Sequence, residues 1–505
     1  MDYYFLHPRS MIFNKINNKL ASVAVMLIIV MIGVVQSHTT MGGDQSLFVV
    51  IAQQLDMGKV LYQDLFDYKQ PGIYLFYLLA GNTIGWDDVS IHLFELGYWI
   101  IFTLVLFYTV KEYQLFRLQY FYSLLPLFIV GVYYCNARWL HLTQLEAIIN
   151  FPIFLIVWLL DRAYKSKGNL FLTYFAIGLL VAIVLLSKLV FAPIIAAFFL
   201  IHFLFVLRVH NLGYIVRTQV LPLILGFALP ASFFLFYIFH HHIETLVFEI
   251  YFKIPASVIG LTDQIDPERL QTSVKWFIKK MVVFLILAGV GVLMIRKIES
   301  HFLSLLLAWA VVGLFVVLMQ KTSWWAYHFQ LLYVPIGFFA AMGLDWILYR
   351  IFQFEIIKRA RIENLLMIFV LIGIFYIQYH GLWKNHTATD VIKLNTYDYA
   401  QEEVASVLSV LKEGDTMFVC GNPRMYVLAS RLPELSTNGW ILEYYLDFQW
   451  QAFYTEFVES PPTYLFVKLD YDTLIQQKNK SLWEYIINNY SVFESLEHGT
   501  WFKKI

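Results

Sequence analysis

Apolar residues along this chain come in long runs rather than in alternation. Runs at 20–36, 90–110, 119–135, 144–160, 169–187, 189–207, 218–239, 275–295, 301–319, 331–349 and 363–379 each approach the ~20 residues a helix needs to cross the hydrocarbon core of a bilayer. The pattern therefore predicts about 11 transmembrane helices. A further apolar stretch at 71–85 is short and bounded by glycine, and predicts a juxtamembrane helix lying at the surface. Between the first two runs, residues 46–57 have amphipathic helical spacing and end at Gly58, a common helix stop. From about Lys384 the pattern changes to that of a soluble fold. Residues 398–412 and 424–430 read as helices, and 416–420 and 464–468 as buried strands. Residues 482–489 read as a helix, and 490–496 with 500–503 as a terminal hairpin around His498-Gly499. The expected architecture is mostly α: a polytopic membrane domain over 1–383, whose first outer loop is 37–85, and a small α/β domain over 384–505.

Composition agrees with the pattern. Of 505 residues, 59% are hydrophobic and only 14% charged, against about 25% charged in a soluble domain. Formal net charge is +0, so there is no broad basic face and no nucleic-acid partner is expected. Cys135 and Cys420 form neither a disulfide framework nor a zinc spacing.

The distribution of Lys and Arg orients the spans. Arg9, Lys15 and Lys19 fall on one side with Lys111, Arg117, Arg162, Lys165, Lys167, Arg208, Arg217, Arg296, Lys297, Arg350, Lys358, Arg359 and Arg361. The opposite loops are poor in both residues. By the positive-inside rule the N-terminus is cytoplasmic, and the 37–85 loop and the C-terminal domain are extracytoplasmic. Gln36-Ser37-His38 lacks the small-x-small pattern of a signal-peptide cleavage site, so the first run reads as a retained span. A multi-pass protein of the cell membrane is expected.

Charged side chains beside lipid are costly enough to mark function. Asp44, Asp56, Asp64, Asp67 and Glu146 gather in or near the outer stretches. Asp44 follows Gly42-Gly43 and precedes a helix, so it reads either as an N-cap or as a general base. Asp67-Tyr68-Lys69-Gln70-Pro71-Gly72 reads either as a solvated turn with a weak ion pair or as a turn that presents Lys69 to a lipid phosphate. Lys188, between two apolar runs, falls at an outer end against the positive-inside preference. It either snorkels or meets a negative partner, and a phosphate fits. His328, in Y-H-F-Q-L-L-Y-V-P, is an interfacial histidine or a phosphate or hydroxyl contact. The run His240-His241-His242 with Glu244 offers too few ligands for zinc. Asp470-Tyr471-Asp472 resembles the metal-holding D-x-D of nucleotide-sugar transferases, but its expected side of the membrane argues against that use. No metal site is assigned.

The segment G-G-D-Q-S-L-F-V-V-I-A-Q-Q-L-D-M-G-K-V-L-Y-Q-D-L-F-D-Y-K-Q-P-G-I-Y resembles the first extracytoplasmic loop of bacterial GT-C glycosyltransferases. These are relatives of protein O-mannosyltransferases and aminoarabinose transferases that use polyprenyl-phosphate sugars. Glu146 resembles their acid at a helix start, Lys188 the lysine of their L-x-K segment, and Tyr327-His328 with Pro335 their H-Y-x-x-x-x-x-P. F-V-C-G-N-P-R-M-Y-V-L-A-S-R and P-P-T-Y-L-F-V resemble two motifs of the family's tail. Gln45 stands where many members carry a second acid, which argues against a metal-dependent role, and Gln70 stands in place of a proline. The resemblance implies inverting transfer of a sugar from a polyprenyl-phosphate donor to a hydroxyl of a lipid, glycan or protein acceptor, without a cofactor. Asp44 would be the base, Asp67 and Glu146 would orient hydroxyls, and Lys69, Lys188 and His328 would meet the donor phosphate. A lipid or glycan transporter or flippase is the alternative, for which charges at the midplane and an internal repeat are expected.

Overall fold

The computed structural model describes residues 8–137, 140–208, 211–259, 267–295, 300–320, 324–354, 365, 368–376 and 399–505. Two compact units emerge: Met1–Ser37, His92–Phe233 and Leu261–Val391 form one, and His38–Ile91, Phe234–Gly260 and Ile392–Ile505 the other.

The first unit is helical. Among the described residues of the whole chain, nine helices are long and apolar enough to cross a membrane, from Lys19–Ser37 to Ala326–Ile351. The chain is a multi-pass membrane protein. Nine of the eleven apolar runs fall on these helices. The run at 119–135 forms the shorter Phe121–Asn136, whose ladder widens into a π-turn at Leu127–Gly131 directly after Pro126, the residue that removes a backbone donor. Of the run at 363–379, residues 365 and 368–376 are described and are helical, whereas the boundary near Lys384 lies outside the described residues.

Helix pairs in this unit pack through small residues. A methyl group on Gly291 would stand 2.0 Å from the Phe339 carbonyl, and one on Gly343 would stand 2.0 Å from the Leu287 carbonyl. Helices Pro267–Ile295 and Tyr333–Ile351 therefore touch backbone to backbone, the close approach that small residues permit where lipid supplies no hydrophobic drive.

The second unit holds the small α/β fold. Strands β1 (Met417–Cys420), β2 (Tyr464–Lys468), β3 (Tyr490–Ser495) and β4 (Gly499–Lys504) form one sheet in the order β1-β2-β4-β3. The β1–β2 pair is parallel and the other two are antiparallel. All four residues of β1 are buried, as expected of a strand covered on both faces. Phe418, Cys420, Leu465, Val467 and Phe502 face a core closed by Trp450, Phe453, Phe457, Ile475, Leu482 and Ile486. Helices Asp447–Glu459, Leu469–Lys478 and Lys480–Asn489 supply those last six residues. The first two of these helices were not expected from the sequence. Asp470-Tyr471-Asp472 opens the second of them, with Asp470 exposed and 2.8 Å from Lys468.

The same unit contains the first outer loop. Its amphipathic helix spans Gly43–Asp56, beginning three residues before the expected start, and the short apolar stretch forms Gly72–Thr83. These two helices pack on each other, and Gly43–Asp56 also packs on Arg424–Ala429.

Candidate functional site

The candidate residues fall into two groups, one in each unit. In the loop unit the chain enters through Met41, whose N–H donates to Asp88 Oδ1 at 2.8 Å. Asp88 also pairs with the buried Arg424 guanidinium. Gly42 precedes the helix, and its N–H donates to the side-chain oxygen of Gln45. The first turn is thus closed from Gln45, and Asp44 is not the N-cap. The Gln45 side-chain oxygen is turned back into the turn.

Asp44 lies in the first helical turn, where the helix dipole favours a carboxylate. The Trp440 indole N–H donates to its Oδ1 at 2.9 Å. The indole ring lies against Gly43, where a Cβ would come within 2.2 Å of it. Trp440 is itself fixed by neighbours. Its backbone N–H donates to Asn438 Oδ1, and its carbonyl accepts from the Tyr471 hydroxyl at 2.7 Å. Gly-Gly-Asp is therefore a seat for an aromatic ring that holds the carboxylate.

Asp67 is wholly buried. Its Oδ1 accepts from the Tyr68 N–H at 2.7 Å and its Oδ2 from the Tyr74 hydroxyl at 2.7 Å. Lys69 Nζ stands 3.5 Å from Oδ2 and 5.0 Å over the Phe48 ring. The Lys69 carbonyl accepts from the Tyr62 hydroxyl at 2.9 Å, and Tyr62 in turn meets Tyr251 at 3.1 Å. Burial, and then the neighbouring Asp67 carboxylate, push the Tyr74 hydroxyl well above the usual phenol range. Tyr74 accordingly remains a donor to Asp67.

In the helical unit, Glu146, Lys188 and His328 come together. Glu146 lies in the first turn of Leu145–Ile148 and is buried. Lys188 is the extended residue between helix Leu170–Ser187 and the short turn Leu189–Phe191, with φ −164° and ψ 119°. That break lets its side chain leave the helix surface. Its ammonium donates to Glu146 Oε1 at 2.7 Å and to Gln320 Oε1 at 2.9 Å. His328 Nε2 stands 3.7 Å from the same Glu146 oxygen. The negative partner that Lys188 required is thus an internal carboxylate, so Lys188 does not simply snorkel. The backbone below is braced by Asn150, whose amide donates to the carbonyls of Glu146 and Gln330.

Trp440 and Gln320 escaped the reading of the sequence. Neither is charged, and Trp440 lies 396 residues from its partner.

The described chain aligns with ArnT from Cupriavidus metallidurans in the apo state at a TM-score of 0.65, covering 96% of this chain and 97% of that one at 10% identity. The fold is that of ArnT. ArnT from the same organism bound to undecaprenyl phosphate aligns with a TM-score of 0.63 at 11% identity, over 96% of this chain and 98% of that one. The archaeal oligosaccharyltransferase AglB from Archaeoglobus fulgidus, in complex with an inhibitory peptide and a dolichol-phosphate, gives 0.54 at 11% identity, over 96% and 74% of the two chains. No family model and no curated protein matches the sequence. The likeness to these structures therefore rests on three-dimensional form, with the sequence resemblance confined to short motifs.

Proposed function

We propose that this protein transfers a sugar from a polyprenyl-phosphate donor to an acceptor hydroxyl at the extracytoplasmic face of the membrane, with inversion at the anomeric carbon. The acceptor is a lipid, a glycan or a protein. Asp44 takes the hydroxyl proton as the oxygen attacks the anomeric carbon. The bond from that carbon to the phosphate oxygen breaks, and the carrier leaves as polyprenyl phosphate with one more negative charge. Cations and donors beside that phosphate favour the transition state over the ground state, because the charge they meet grows along the reaction. Lys69, Lys188 and His328 take this role. Asp67 and Glu146, besides orienting hydroxyls, hold Lys69 and Lys188 in place. A donor with a lipid tail suits a membrane unit, since the tail stays in the bilayer. No cofactor or metal enters the scheme.

The observation that carries the proposal is the ammonium of Lys188. It is a side chain at the break between two apolar helices, 22% exposed, with Glu146 and Gln320 taking two of its donors. An ammonium has three. Among the described residues the third has no protein acceptor. Two of the proteins this chain resembles were solved with a polyprenyl or dolichyl phosphate bound.

The test is binding of undecaprenyl phosphate to the purified full chain. Lys188→Ala should weaken it by roughly 10-fold or more, the scale of a lost charge-assisted contact, while Glu146→Gln, which frees the ammonium but unseats it, should weaken it less. Equal binding by the parent and Lys188→Ala would remove Lys188 from the donor site.

A further inference from the structure

Glu95, in helix Asp88–Thr109, belongs to no motif and has no place in the scheme above, yet it is wholly buried. A carboxylate inside a membrane unit calls for an explanation. Its partners are donors rather than cations. Oε1 accepts from the Thr143 N–H at 2.9 Å, from the Trp99 indole at 3.3 Å and from the Tyr133 hydroxyl. Oε2 accepts from the Thr143 hydroxyl at 3.0 Å. The basic group in ion-pair range among the described residues is His92, 3.8 Å away.

Thr143 thus gives its hydroxyl to this carboxylate and shares its N–H between Glu95 Oε1 and the Tyr133 hydroxyl, 3.0 Å away, which Glu95 itself holds. Since its hydroxyl hydrogen points at Glu95, His92 Nδ1, 2.9 Å from that oxygen, is the donor there. This fixes the histidine tautomer and leaves the threonine oxygen unsuited to nucleophilic attack. The cluster is therefore no hydrolytic triad.

What it holds is a strained backbone. Thr143 has φ +50°, a left-handed conformation that a β-branched residue avoids. Such strain persists only where the surroundings over-determine it. Gln144 follows in extended conformation as the cap of the next helix, and its side chain donates to the Leu140 carbonyl at 2.9 Å. Leu145 begins that helix and Glu146 is its second residue. The left-handed residue therefore sets where the helix starts and which way Glu146 faces.

We propose that Glu95 is a positioning residue: it clamps Thr143 in the left-handed turn and so aims Glu146 at Lys188 and His328. Its consequence for the donor rests on the function proposed above; the clamp itself does not.

Glycine takes a left-handed conformation without strain, which provides the test. In the purified full chain, amide hydrogen exchange over residues 140–148 and binding of undecaprenyl phosphate are compared for the parent, Glu95→Gln, Glu95→Leu and the double variant Glu95→Leu with Thr143→Gly. Glu95→Leu is expected to speed exchange by about 10-fold or more and to weaken binding measurably, by no more than Glu146→Gln does. Glu95→Gln, which keeps an acceptor for the Thr143 N–H, should stay near the parent. The double variant should recover both properties, and should recover folding if Glu95→Leu alone fails to fold. Unchanged exchange in Glu95→Leu, or a double variant no better than the single one, overturns the clamp. A parent that does not bind undecaprenyl phosphate overturns the donor reading, and the exchange data still decide the clamp.

Discussion

At the scale of single residues, the best-defined arrangement is the seat built by Gly43, Asp44 and Trp440. Gly43 leaves room for the indole, and the indole donates to the carboxylate. Gly43→Ala would place a methyl group inside the ring's van der Waals envelope, so Trp440 must move. The expected cost is about 1–3 kcal/mol of stability, the usual range for overpacking, together with loss of transfer. Trp440→Phe keeps the bulk but removes the N–H, and should lower kcat more than it lowers stability. Thermal unfolding and turnover of both variants check this; a Gly43→Ala protein as stable and active as the parent would refute the seat. Asp44 was legible in the sequence because a carboxylate beside two glycines and an apolar helix is conspicuous. Its role as a cap was a fair reading of the same residues. It fails because Gln45 already closes the turn at Gly42. Trp440 was not legible: an uncharged residue in S-T-N-G-W-I gives no sign of a partner in the first loop.

At the scale of elements, helix starts and helix breaks do the placing. Asp44 and Glu146 occupy first turns, and Lys188 occupies a break. The entry to the first of these helices is tied down by Asp88, which accepts from the Met41 N–H and pairs with Arg424. Arg424 is buried while Asp88 is partly exposed. Arg424→Ala leaves the carboxylate without its cation, and should destabilise the loop unit by roughly 3 kcal/mol, the low end for breaking a buried pair. Chemical denaturation followed by a probe in this unit measures it, and a change within about 0.5 kcal/mol, the surface-substitution range, would count against the tie. The spans were legible because lipid leaves little choice: apolar runs of sufficient length must be helices. The sheet was legible because M-F-V-C and Y-L-F-V-K are short, continuous and bounded. Helix Leu469–Lys478 was not, since it buries only Tyr471 and Ile475, too thin a stripe to register as a period. Helix Asp447–Glu459 did carry a stripe, in Trp450, Phe453 and Phe457, but its aromatic residues fit a strand equally well by propensity. Glu95 was hidden for another reason. It lies inside an apolar run, and its partner Thr143 is 48 residues away.

At the scale of the whole molecule, the membrane sets the first expectation. A reporter fused after Ile505 should be active only outside the cytoplasm, and one inserted at Lys165 only inside; the reverse at either point would invert the proposed orientation. The second expectation concerns pH. Burial holds Tyr62, Tyr74 and Tyr445 well above the usual phenol range in the folded loop unit. The unfolded chain loses these protons near pH 10, where the folded state still keeps them. Below that value the three phenols are protonated in both states and leave stability unchanged. Above it the unfolded state is favoured, so stability should fall as pH rises beyond about 10. A denaturation series from pH 7 to 11 with no loss at its upper end would mean that these side chains are hydrated.

The central claim is transfer from a lipid-phosphate donor with Asp44 as the base. Asp44→Asn isolates it, because Gln45 caps the turn and the amide oxygen still accepts from Trp440, so only the basicity changes. The decisive measurement is mass spectrometry of envelope glycans and lipid carriers from cells with the protein, without it, and with Asp44→Asn. The account predicts that cells lacking the protein lose one sugar increment from an acceptor and accumulate a polyprenyl-phosphate sugar. It predicts the same pattern in the Asp44→Asn cells, with transfer down by roughly 10²-fold or more. An Asp44→Asn profile matching the parent, or no accumulated donor when the protein is absent, would contradict it.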